Sequence, residues 1–123
     1  MRAVWTLPPV PEVFERALEG LIGVDTWLIE RGLVGPLYAS GVRYRWELPG
    51  TGWDHAGILQ ARGYGDCKDL TAWRCAELRL DGTDALPLIV QTGNHNYHAL
   101  VRLPDGSTED PSVLLGAGRG ARP

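Results

Sequence analysis

Gly63-Tyr64-Gly65-Asp66-Cys67-Lys68-Asp69-Leu70 is the stretch around which the chain is organised. It predicts a glycine-containing turn that runs directly into a helix. Asp66 is a suitable N-cap, because its carboxylate can accept hydrogen bonds from the free N–H groups of the first turn. Cys67 is then the first helical residue, where unpaired N–H groups and the helix dipole place partial positive charge. That field favours the thiolate over the thiol, so we expect a reactive cysteine here.

The helix that follows is predicted to run from Cys67 to about Leu80, with Asp81-Gly82 as its stop. Its apolar residues do not form one clean stripe, and a helix that is apolar on several sides is usually buried between layers. These residues are Leu70, Ala72, Trp73, Cys75, Ala76, Leu78 and Leu80. We therefore expect a central helix.

The N-terminal part of the chain predicts helices followed by one strand. Residues 1–11 form an extended lead-in, because prolines exclude a regular helix there. A helix is predicted over Glu12–Leu21 and a second, capped by Asp25, over Thr26–Arg31, although the two could be one kinked helix. Alternation of apolar and polar residues predicts a strand over Val42–Leu48.

A turn at Pro49-Gly50-Thr51-Gly52 and one helical turn within Trp53–Arg62 complete the stretch before the glycines. After the central helix, strands are predicted over Ala85–Thr92 and Tyr97–Leu103, with a turn at Gly93-Asn94-His95-Asn96 between them.

Pro104-Asp105-Gly106-Ser107 is a hairpin turn, and a last strand begins over Thr108–Asp110 and ends at Pro111. The Gly/Arg-rich tail 116–123 is expected to be mobile. Helices first, then a central helix and an antiparallel hairpin, predict an α+β fold.

The composition is that of a globular protein, with 44% hydrophobic and 22% charged residues. A length of 123 residues suits one compact domain, so we expect a single domain over 1–123. The net charge is −3 and no dense basic patch is present, which argues against nucleic acid as a partner. No apolar run approaches the ~20 residues of a membrane span. Prolines interrupt the N-terminus, which therefore lacks a signal-peptide core, and we expect a cytoplasmic protein.

The two cysteines are expected to remain free and to differ in role. Cys67 and Cys75 lie on one predicted helix, where eight residues correspond to about 12 Å, too far for a disulfide. Cys75 lies two turns deeper and is interpreted as a core residue.

A reactive thiolate needs a base and a group that orients the base. His98 lies on the strand before the hairpin turn, and Asp110 lies at the end of the strand after it. Adjacent strands could bring the two together, as in activated-nucleophile sites, although the sequence does not fix the register. His95 is the alternative base, and His55 is interpreted as structural or peripheral.

Three motifs in this chain resemble the transglutaminase-like family of papain-like thiol enzymes. They are Gly65-Asp66-Cys67-Lys68-Asp69-Leu70, Tyr97-His98-Ala99-Leu100-Val101 and, after Asp105-Gly106, Asp110-Pro111-Ser112. They occur in the order that the family has, and they cover less than half of the chain.

The resemblance implies a papain-like core, with a cysteine-bearing helix packed on a small antiparallel sheet. It implies that Cys67 is the nucleophile, His98 the base and Asp110 the residue that orients it. The implied activity is hydrolysis of an amide bond in a protein or peptide substrate, as a peptidase or deamidase, or acyl transfer to an amine. No cofactor or metal is required. Some large relatives use calcium, but this sequence contains no obvious acidic loop that would bind it.

An oxyanion hole requires fixed hydrogen-bond donors. The backbone N–H of Cys67 is one candidate. For the second donor we consider the side chain of Gln60, a short way upstream as in papain-like enzymes, and the indole N–H of Trp53.

Other readings of these residues are weaker. A zinc site would have to use Cys67, Cys75, His95 and His98, whose spacings do not match structural zinc motifs. Peptidoglycan-cleaving thiol peptidases also start a helix with Asp-Cys, but their following Ser-Gly is replaced here by Lys68-Asp69. The principal alternative is a non-catalytic interaction module that keeps the fold and assembles into a larger particle, such as that of a phage, since compact members of the family resemble phage proteins.

Overall fold

The computed structural model describes residues 2–3, 11–47, 52–93 and 97–117. Predictions for the rest of the lead-in, the turn at 49–51, His95 and the tail beyond 117 lie outside these residues. The elements in chain order are β1 (Arg2–Ala3), α1 (Pro11–Glu30), a 3-10 turn (Leu37–Ala39), β2 (Arg43–Tyr44), β3 (Trp53–Asp54), α2 (Ala56–Arg62), β4 (Tyr64–Gly65), α3 (Cys67–Leu80), β5 (Leu86–Gln91), β6 (Tyr97–Arg102), β7 (Thr108–Glu109) and a helical segment (Val113–Ala117). The fold is mixed α+β, as the sequence predicts.

Within the described residues, the strands form three small sheets. The largest is antiparallel, in the order β5-β6-β7. β2 pairs in parallel with β4, and β1 pairs antiparallel with β3. Among the described helices, none has the length and apolar character needed to cross a bilayer.

α3 is the central helix, and its predicted bounds are confirmed. Ala72, Cys75 and Ala76 belong to a core shared with α1, β5 and β6. Leu70 and Trp73, on another side of α3, belong to a second core with α2. A helix that was predicted to be apolar on several sides therefore lies between two apolar layers.

α1 is one continuous helix from Pro11 to Glu30 rather than two. Its buried residues Leu18, Ile22 and Asp25 follow helical spacing across the point where a break was considered. Gly20 and Gly23 lie on the exposed side of α1, where a Cβ atom would contact nothing within 4 Å. The continuous buried face therefore outweighs the weak helix propensity of the two glycines.

The sequence suggested that Asp25 begins a second helix, and this prediction is wrong. It lies fully buried inside α1, and its Oδ1 accepts a hydrogen bond from the backbone N–H of Ala56 (2.7 Å), the first residue of α2. Asp25 therefore binds the first N–H group of a helix that starts 31 residues later. Burial raises the pKa of Asp25 to about 7, in spite of this hydrogen bond.

The other differences concern short elements. β2 covers only Arg43–Tyr44 of the predicted strand, within the described residues. The single helical turn expected over Trp53–Arg62 is a short strand followed by the seven-residue helix α2. Gly63-Tyr64-Gly65, expected as a turn, contains β4, because its backbone pairs with β2.

Replacing Asp25 by Asn should stabilise the protein above pH 7. The unfolded chain ionises this carboxyl near ~3.9 and the folded protein near 7, so stability falls as pH rises between these values, by at most ~4 kcal/mol. Asp25→Asn keeps an oxygen for the Ala56 N–H and cannot ionise. Urea unfolding between pH 4 and 8 should show a flatter profile for this variant.

The exposed Asp84 provides the control, because Asp84→Asn should leave the pH profile as it is in the wild type. If Asp25→Asn loses stability with rising pH as steeply as the wild type, the raised pKa of Asp25 is not the cause of the pH dependence.

Candidate active site

Cys67 opens α3 as the first helical residue, and it is half-buried. Asp66 precedes it in extended backbone conformation, and its Oδ1 accepts a hydrogen bond from the N–H of Asp69 (3.3 Å). The predicted N-cap is therefore confirmed. Because the cap uses the N–H of Asp69, it leaves the N–H of Cys67 to a different acceptor.

A buried ion network fixes the start of α3 against α2 and β3. Arg62, at the end of α2, donates to Asp54 (2.7 Å) and to Glu47 (3.1 Å). Asp69, fully buried in the first turn of α3, accepts a hydrogen bond from the backbone N–H of Asp54 (3.0 Å). These bonds tie the turn that carries Cys67 to two preceding elements.

Three carboxylates of this network, those of Glu47, Asp66 and Asp69, lie within 4.8 Å of one another, as metal ligands do. Two protein cations already neutralise them. Lys68 Nζ lies 2.5 Å from Asp66 and 3.9 Å from Asp69, and Arg62 pairs with Glu47. A cation would have to displace both side chains, so we assign no metal to this cluster.

The hairpin between β6 and β7 has a three-residue loop. The N–H of Gly106 bonds to the oxygen of Leu103 (2.9 Å), and the N–H of Leu103 bonds to the oxygen of Ser107 (2.9 Å). Gly106 has φ +88°, a left-handed conformation that favours glycine. This is a type I turn followed by a left-handed residue, one of the common hairpin connections.

That loop sets the register, in which Val101 pairs with Glu109 and Arg102 with Thr108. Continued by one residue, the same register places Asp110 opposite Leu100. Because side chains alternate along a strand, Asp110 then shares a face with His98, its diagonal neighbour.

His98 and Asp110 meet as this register requires. His98 Nε2 lies 2.7 Å from Asp110 Oδ2. The other oxygen of Asp110 accepts from the backbone N–H groups of Ser112 (3.1 Å) and Val113 (3.4 Å). The carboxylate is thereby oriented with one oxygen toward the imidazole.

The pair favours a charged imidazolium. The hydrogen bond to Asp110 raises the pKa of His98 to about 10, and the interaction with the thiol of Cys67 contributes further to this increase. Burial alone would raise the pKa of Asp110, but hydrogen bonds from His98, Val113 and Ser112 hold it below its usual value. At neutral pH, Asp110 is therefore a carboxylate beside a protonated ring.

Cys67 lies against the same strand. Its Sγ accepts from the backbone N–H of Ala99, the residue after His98, at 3.5 Å. His98 Nδ1 is buried, and within the described part of the chain it makes no hydrogen bond of good geometry. Since Nε2 is bonded to Asp110, Nδ1 is the nitrogen that remains for the interaction with the thiol, which contributes to the raised pKa of His98. The structure thus brings Cys67, His98 and Asp110 together.

Gln60 lies away from this cluster. It is exposed on α2, and its Oε1 accepts from the N–H of Gly35 (3.4 Å). The carbonyl of Gly35 accepts from the indole of Trp73 (3.2 Å), which is six residues, or about 9 Å, further along α3 than Cys67. Gln60 therefore binds Gly35 beside Trp73, and not near the thiol of Cys67.

Trp53 lies on the Cys67 side of the molecule. It is buried in the core against which Cys67 packs, and its ring stacks on that of Phe14 at 6.1 Å between centroids. Lys68 Nζ lies 5.6 Å from the centre of the Trp53 ring. Of the two side chains predicted as oxyanion donors, Trp53 is therefore the one beside the start of α3.

Tyr44 is a neighbour of the cluster that the sequence interpretation missed. It pairs with Gly65, two residues before Cys67, and it packs against the second core. Burial raises the pKa of Tyr44, and the charges of Cys67, Asp66 and Asp110 raise it further. The only sequence signal at Tyr44 is the alternation of apolar and polar residues in its strand. The pairing with β4 that brings it close to Cys67 joins residues far apart in sequence.

The remaining candidates have structural positions. Cys75 is fully buried, and burial raises the pKa of its thiol to about 12. His55 is the N-cap of α2, where its Nδ1 accepts from the N–H of Ile58 (3.4 Å). Neither residue belongs to the cluster around Cys67.

Compared with protein-family models, with curated proteins and with solved structures, the chain gives no significant match. The function must therefore be argued from the site itself.

Replacing Asp110 by Asn should lower the pKa of His98 from about 10 toward the ordinary ~6.5, because the hydrogen-bonded negative charge is lost. NMR titration of the His98 ring measures this change. Asp105→Asn, in the turn of the same hairpin, should leave the titration unchanged. An unaltered His98 titration in Asp110→Asn would contradict the assigned pairing.

Proposed function

We propose that this protein is a thiol-dependent hydrolase or acyltransferase with a papain-like, transglutaminase-like core, which acts on amide bonds. One observation supports this proposal above all others. A cysteine at a helix N-terminus lies against the strand of a histidine, and that histidine is hydrogen-bonded to a carboxylate at 2.7 Å. Nucleophile, base and orienting group in this order are the parts of covalent thiol catalysis.

In the acylation step, Cys67 Sγ attacks the carbonyl carbon as a thiolate. A C–S bond forms, and the carbonyl π electrons move onto the oxygen. The N–H groups at the start of α3 and a side-chain donor stabilise this oxyanion, and Trp53 is better placed for that role than Gln60. Collapse of the intermediate breaks the C–N bond, and the leaving amine takes the proton of His98.

In the second step, neutral His98 accepts a proton from water or from an incoming amine, which attacks the thioester. The C–S bond breaks, and the thiolate returns beside a protonated His98. Asp110 holds the ring in place through both steps. We favour water as the acceptor, which makes the protein a peptidase or deamidase with a protein or peptide substrate.

The proposal predicts a large difference between the two thiols. At pH 7, iodoacetamide should modify Cys67 ~100-fold faster than Cys75 or more, because Cys75 is buried and its pKa is about 12. His98→Ala should slow the modification of Cys67 by at least ~10-fold. Peptide mapping by mass spectrometry gives the rate for each thiol.

Cys75→Ala is the matched control, and it should leave the rate at Cys67 unchanged. An activated ester such as p-nitrophenyl acetate should also give a burst of nitrophenol and an acetyl group on Cys67. Equal, slow modification of both thiols would refute catalysis and favour the non-catalytic interaction module.

A further inference from the structure

Arg74 lies on the same helix as Cys67, seven residues further along. Seven residues are close to two helical turns, about 10.5 Å, so the two side chains leave α3 on nearly the same face. Cys67 meets β6 at Ala99, and Arg74 meets β7 at Glu109. α3 therefore contacts the sheet at two points, and the second point is the residue before Asp110.

The contact between Arg74 and Glu109 is a fork. Arg74 Nε lies 2.5 Å from Glu109 Oε2, and its second guanidinium nitrogen lies 3.4 Å from Oε1. Such two-point contacts fix geometry as well as charge. Tyr38 adds a third bond, since its hydroxyl donates to Glu109 Oε2 at 2.6 Å.

Arg74 is itself held in place. Its guanidinium lies 4.9 Å from the centre of the Tyr38 ring, and it also pairs with Glu77 at 3.3 Å. Burial alone would raise the pKa of Glu109, but the hydrogen bonds from Arg74 and Tyr38 keep it below its usual value. The network is partly buried and multiply bonded, unlike an isolated surface ion pair.

We propose that Arg74 is a positioning residue for the site, which holds Glu109 and so sets the backbone of Asp110 against His98. This role rests on the proposed function for its purpose, but the geometry that it predicts can be tested separately. α3 would then carry both the nucleophile and the clamp for the residue that orients its base.

The chain contains a matched control on the same helix. Arg79 donates to both oxygens of Glu19, at 2.7 and 2.8 Å, and Glu19 lies on α1. This second fork has the same chemistry and does not involve the hairpin. If the contact between Arg74 and Glu109 only stabilises the packing of α3, the loss of either fork should have the same effect.

The test compares two charge-balanced double variants, because the loss of Arg74 alone would add an unpaired negative charge near His98. In Arg74→Met/Glu109→Gln, the pKa of His98, measured by NMR titration, should fall by about one unit. In Arg79→Met/Glu19→Gln, it should stay at the wild-type value. Thermal unfolding reports how much stability each pair of changes removes.

A His98 titration that is unchanged in the first variant, while its stability falls as in the second, would overturn the proposal. If the first variant does not fold, Tyr38→Phe removes only one bond to Glu109 and should give a smaller change of the same sign; no change would again overturn it. An unreactive Cys67 in the wild type would refute the proposed function, whereas the titration of His98 would still decide the role of Arg74.

Discussion

Antiparallel pairing between β6 and β7 is the constraint on which the site depends. The loop Pro104-Asp105-Gly106 closes the hairpin in one register, and that register puts Asp110 on the face of His98. A shift of one residue would turn Asp110 to the opposite face, toward the buried Ala99 and Val101. The turn at Gly106, with its positive φ, thus determines whether the carboxylate of Asp110 lies beside the imidazole of His98.

The position of Cys67, the proposed nucleophile, depends on a different set of interactions. Cys67 is placed by the cap of Asp66 and by the buried charges around Asp69, which join the first turn of α3 to α2 and β3. Burial raises the pKa of Asp69 well above its usual value, and the charge of Asp66 adds to this effect. The energetic cost of burying these groups is offset only while Arg62 and Lys68 remain in place.

Features determined by local chemistry could be predicted from the sequence, and features determined by long-range packing could not. α3 and the hairpin turn follow from nearby caps and turn residues, so their positions were predicted closely. The parallel pairing of β2 with β4 has no local signal, and it is what brings Tyr44 to the site. For the same reason the engagement of Gln60 with Gly35, 25 residues away, could not be read from the sequence.

The sequence separations within the site have a consequence for the order of folding. His98 and Asp110 are twelve residues apart and belong to one hairpin, which can close on a timescale of ~1–10 μs. Cys67 reaches this strand only across 32 residues, through the packing of α3, which carries a larger loop-closure entropy. In a nascent or partly unfolded chain, Cys67 would therefore be apart from His98 and Asp110, and the three side chains would come together only late in folding.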